Sequence, residues 1–135
     1  MKTVLEVHNN LFAEASEKNH ADTRVLDKIE IGQAFRQGDV YVTRIAELPK
    51  NIVGTVNLQI AKGQTKGSRH ILEETRGLRV YNLKESGPLD GPVFTSTEEI
   101  CLTHPEHAHF RFPAGTYSTH YQQDFQAAEI RAVRD

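Results

Sequence analysis

From Phe35 onward, apolar and polar positions alternate in short runs broken by Gly, Pro and Asn. Val40-Tyr-Val-Thr-Arg-Ile45 carries the β-branched and aromatic enrichment of a strand. Pro49-Lys-Asn51 turns the chain, and Ile52 to Ala61 predicts a second strand with Gly54 as a bulge. Further strands are predicted over 70–72, 78–83, 93–96, 99–103, 108–112 and 116–125. Short strands separated by turn residues predict a mainly β (α+β) domain: a small antiparallel β-barrel or sandwich.

Residues 1–34 have a different texture. Val4, Leu5, Leu11, Phe12 and Ala15 recur near helical spacing, and Asp22 is placed to cap a second helix through Val25, Leu26 and Ile29. The expectation is an N-terminal helical arm over 1–34, then an antiparallel β domain over 35–135. The arm is a candidate surface for homo-oligomer formation.

The last two predicted strands allow a register to be written. Phe110 and Phe112 share one face, as do Tyr117, Thr119 and Tyr121. Joining the aromatic faces in a hairpin pairs Phe112 with Tyr117 and sets His109 opposite His120. Directly opposed Cβ atoms lie about 4.5–5.5 Å apart, within reach of one ligand. A one-residue slip would destroy that arrangement.

Composition narrows the class. The 135 residues suit one domain, and a net charge of -2 supplies no global field toward nucleic acid. The single cysteine, Cys101, excludes an intramolecular disulfide and a Cys-rich zinc site. No apolar run approaches the ~20 residues of a membrane-spanning helix, and the N-terminus lacks a secretory apolar segment. No membrane partner and a cytoplasmic location are expected.

The candidate chemistry lies in Leu102-Thr-His104-Pro-Glu-His107-Ala-His109-Phe, with three imidazoles in six positions. His107 and His109 have strand spacing, and His104 can close on them across the proline. Three histidines plus water form a workable shell for zinc, and similar sets bind iron, nickel or copper. Glu106 is a candidate catalytic base or further ligand, and His120 a candidate catalytic partner. His70 follows Gly63-Gln-Thr-Lys-Gly67-Ser-Arg-His70, where two glycines allow close backbone approach to a ligand. The metal set is therefore His70, His104, His107 and His109. Lys66 and Arg69 form a local cationic patch for phosphate or carboxylate, although such a run is more often a solvated loop. The aromatic residues of 110–121 are most simply core.

The segments Arg36-Gln-Gly-Asp-Val40, Gly67-Ser-Arg-His70, His104-Pro-Glu-His107 and Phe112-Pro-Ala-Gly-Thr-Tyr117 resemble those of small uncharacterised bacterial and phage proteins. The likeness covers about residues 35–135 and implies no activity. It groups His70 with His104 and His107.

Three functional classes follow. The first is a His-cluster protein binding a divalent metal ion, including a small metalloenzyme such as a hydrolase acting on a small-molecule ligand. The second is a metal-independent phosphodiesterase, ribonuclease or nucleotide-binding protein. It would use a His acid–base pair, with Lys66 or Arg69 steadying a phosphate-bearing substrate. The third is a non-enzymatic ligand-binding or assembly module.

Overall fold

The computed structural model describes residues 16–20, 23–62 and 69–122. Among these the regular elements are strands: β1 (Ser16–His20), β2 (Thr23–Val25), β3 (Ala34–Gln37), β4 (Val40–Ile45), β5 (Ile52–Thr55) and β6 (Gln59–Lys62), then β7 (Arg69–Leu72), β8 (Arg79–Leu83), β9 (Asp90–Ser96), β10 (Ile100–Thr103), β11 (His109–Phe112) and β12 (Gly115–Tyr121). They form two six-stranded sheets, ordered β1-β2-β11-β10-β7-β6 and β3-β4-β12-β9-β8-β5, not closed into a barrel. Pairing is antiparallel except where β2 runs parallel to β11.

The predicted helical arm is not found where the chain is described. Thr23–Val25 is a strand, with Thr23 opposite His109 and Val25 opposite Arg111. Leu26 and Ile29 are buried at helix-like spacing, yet they anchor an irregular segment. The Leu26 amide donates to the Arg111 carbonyl at 2.8 Å, so the backbone is satisfied by tertiary pairing and not by a helical turn. Val4, Leu5, Leu11, Phe12 and Ala15 lie outside the described residues.

The strand predicted over 52–61 divides into β5 and β6, which belong to different sheets. The last predicted hairpin also opens. β11 pairs with β10 and β2, whereas β12 pairs with β4 and β9. His109 therefore does not face His120 across a ladder. The aromatic alternation has another cause: the two strands meet across the core instead of side by side. Phe35 stacks on Phe110 at 4.7 Å and approaches Phe112 at 4.8 Å; Phe112 meets Tyr117 edge-on at 4.9 Å. These rings join the two sheets. The Tyr117 hydroxyl donates to the Pro113 carbonyl at 2.8 Å, fixing the bend where the chain changes sheets.

Two local features position the site. Leu102 pairs with Leu72 and Thr103 with Ile71, so the same antiparallel register carries His104 beside His70. Gln37 pairs with Val40 across the two-residue Gly38-Asp39 loop. Gly38 has φ +58°, and glycine at the first central position is what the tight II′ hairpin favours.

Phe112→Ala is expected to cost about 3–5 kcal/mol, because the ring is fully buried between the sheets. Arg111→Ala, on the opposite face, is expected to stay within ~0.5 kcal/mol. Denaturant unfolding of the two variants checks this alternation; equal losses would contradict it.

Candidate active site

The site is built from three separate segments. The β3–β4 hairpin supplies Gln37, Gly38 and Asp39, β7 supplies His70, and the turn after β10 supplies His104 to His107. The His70 and His104 rings lie 4.5 Å apart, and the His104 and His107 rings are also 4.5 Å apart. A Cβ on Gly38 would lie 2.9 Å from His107 Cδ2, 3.0 Å from His107 Nε2 and 3.4 Å from His70 Cε1. The hairpin tip thus rests directly on two of the imidazoles, and a side chain at residue 38 would displace the His107 ring as well as strain a backbone at φ +58°.

His70 is fully buried, whereas the Asp39 side chain is 28% exposed and His107 is exposed. The cluster has a closed floor and an open rim. His70 Nε2 lies 2.9 Å from Asp39 Oδ1, and His70 Nδ1 lies 2.9 Å from Gln37 Oε1. Burial lowers the His70 pKa below its ordinary 6.5, against an opposing contribution from Asp39.

His104 performs a different task. Its Nδ1 accepts the backbone N–H groups of Glu106 and His107, each at 2.9 Å. That acceptor occupies the place an Asn Oδ1 takes in an Asx turn. A neutral ring used in this way carries its proton on Nε2, leaving no ring lone pair for a metal. The His104 pKa is lowered by burial first, and then by His70 and His107.

The remaining expected site residues disperse. His109 shares its strand face with exposed Arg111, while buried Phe110 and Phe112 take the inner face. Strand alternation therefore turns His109 away from His70 and His104. His120 lies on β12 between inward-facing Thr119 and Tyr121; its Nε2 is 3.6 Å from Asp90 Oδ1 and its side chain is 49% exposed. Glu106 is exposed on the His104–His107 turn. Arg69 is exposed and precedes buried His70 on one strand, so it takes the opposite face. Lys66 lies outside the described residues. Cys101 is half-buried, with its thiol pushed up to about 11, chiefly by burial.

Sequence reasoning missed Gln37 and Asp39 as site residues. The available signal was Gly38-Asp39 itself: a turn pair directly before a strong strand, within one of the segments that carry the family resemblance. Among the described residues, no group of three or more His, Cys, Asp or Glu is placed to hold a metal ion.

A domain family of unknown function, DUF8820, matches residues 36–122, and the chain belongs to that family. The matched span contains Gln37, Asp39, His70, His104 and His107. Comparison with curated proteins and with solved structures finds no match. No described helix is long and apolar enough to cross a membrane.

The two tasks of the histidines can be separated by pH. Because the folded His104 pKa lies below the unfolded 6.5, the unfolded chain binds more protons between these values. Stability is therefore expected to fall as pH drops below 6.5. His104→Asn keeps the acceptor of the turn and removes one titrating group, so it should flatten this slope. His104→Phe should lose about 1 kcal/mol for each bond removed. Unfolding in chelator at pH 7.5 and 5.5 measures both; an unchanged slope in His104→Asn would refute the assignment.

Proposed function

We propose that this protein binds a divalent metal ion through His70, Asp39 and His107, at the junction of the two hairpin-like turns. The observation carrying this reading is the approach of His70 Nε2 to Asp39 Oδ1, at 2.9 Å, beneath the His107 ring on Gly38. A mixed set of two imidazoles and one carboxylate suits zinc, iron, nickel or copper. Completing it requires rotation of the exposed His107 ring. His104 holds the turn that carries His107, and His109 and His120 take no part.

The floor of the site is buried and its rim is open. Three protein ligands at such a rim leave coordination positions for water or substrate, the arrangement of a catalytic centre rather than a closed structural one. A bound metal would supply Lewis-acid activation of water, making a small hydrolase the enzyme class favoured here. Glu106 is the candidate base on the same turn.

A second reading uses the same 2.9 Å pair without metal. His70 and Asp39 would share a proton and act as an acid–base pair. Of the two cations this phosphodiester version would use, Arg69 takes the face opposite His70, and Lys66 lies outside the described residues.

Elemental analysis of untagged protein separates these readings. About one equivalent of transition metal is expected per chain, falling strongly in Asp39→Asn and His107→Ala and little in His109→Ala. Metal content that follows His109, or a wild-type protein that takes up none on reconstitution, would contradict the proposal.

A further inference from the structure

Gln37 is a polar side chain in an apolar interior, 1% exposed. Its Nε2 lies 3.0 Å from the Leu102 carbonyl and 2.8 Å from the Ala108 carbonyl. Carbonyls only accept, so both amide protons are committed. The opposite orientation would aim Oε1 at two carbonyl oxygens with no proton among them. The amide is therefore fixed, and its Oε1 must be the atom facing His70 Nδ1 at 2.9 Å.

The consequence passes to His70. An amide oxygen cannot donate, so Nδ1 carries the ring proton. The other nitrogen, Nε2, lies 2.9 Å from Asp39 Oδ1, and a carboxylate also accepts. A neutral imidazole has one N–H, and here it has been spent on Gln37. Nε2 and Oδ1 then present lone pairs to each other beside a buried ring. That arrangement holds only if one cation is shared between them, and the cation is a proton or a metal ion.

We infer that Gln37 is a positioning residue that fixes the tautomer of His70 and thereby presents His70 Nε2, with Asp39, to a shared cation. The identity of that cation as a metal rests on the function proposed above; the tautomer does not. Gln37 does a second thing. Leu102 and Ala108 flank the segment carrying His104 and His107, so the two amide protons clamp both ends of that segment to the floor of the site. One side chain sets the His70 proton and the placement of the other two rings. Metal-ligating histidines commonly donate their second N–H to an oxygen, and losing that oxygen typically lowers affinity by about 10–100-fold.

The first test uses wild-type, 15N-labelled, metal-free protein at pH 8, with long-range proton–nitrogen correlation across the histidine rings. His70 is expected to show a protonated Nδ1, whether or not Nε2 is also protonated. A neutral His70 with its proton on Nε2 would overturn the inference. The second test is Gln37→Met, which retains length and removes the acceptor and both donors. Zinc or cobalt affinity should fall about 10–100-fold, and His70 should populate both tautomers. Unchanged affinity with an unchanged tautomer would overturn the positioning role. If the variant does not fold, the wild-type correlation still decides. A protonated Nδ1 in a protein that takes up no metal would sustain the inference while removing the metal function.

Discussion

Hydrogen-bond direction at Gln37 is the constraint on which the site depends. The amide sits at the end of β3 in one sheet and reaches Leu102 in the other sheet and Ala108 just before β11. In a buried place each of its three bonds has to be made, because an unsatisfied polar group costs about 1–3 kcal/mol. With two carbonyls taking both protons, nothing is left to choose. The oxygen faces His70, and His70 faces Asp39. A packing requirement between two sheets thus becomes a chemical statement about one imidazole nitrogen.

The same junction explains why the histidines divide their work. His70 is held at the floor with both nitrogens engaged. His104 is used as a turn cap, its ring interposed between the other two. His107 is presented outward against Gly38, where any side chain at residue 38 would intrude. Sequence proximity placed three histidines together, but strand alternation sends His109 to the outer face. The candidate site therefore joins two histidines of the local cluster, His104 and His107, to His70, Gln37 and Asp39 from distant segments.

The strands were legible in the chain where β-branched and aromatic residues lie between turn residues. Val40–Ile45 is the clearest case, and the aromatic face of 110–121 correctly identified core. What could not be read was which strands pair. Phe112 and Tyr117 satisfy the same alternation whether their strands are neighbours or lie across a core, and the structure takes the second solution. Leu26 and Ile29 misled in a similar way: two buried anchors three apart imitate a helical face, although they sit in an irregular segment tied by the Leu26 amide to the Arg111 carbonyl. The link between His70 and His104 was visible through the family-like segments. Gln37 and Asp39 were not, because a turn dipeptide after a polar residue looks like punctuation until its partners are known.

The most direct test of the account is anomalous diffraction from crystals of the protein loaded with cobalt or zinc. One strong peak is expected within ligand distance of His70 Nε2 and an Asp39 carboxylate oxygen, with His107 turned toward it and Gln37 Oε1 still on His70 Nδ1. A peak centred on His109 or His120, or ordered crystals that bind metal nowhere near Asp39, would contradict the account.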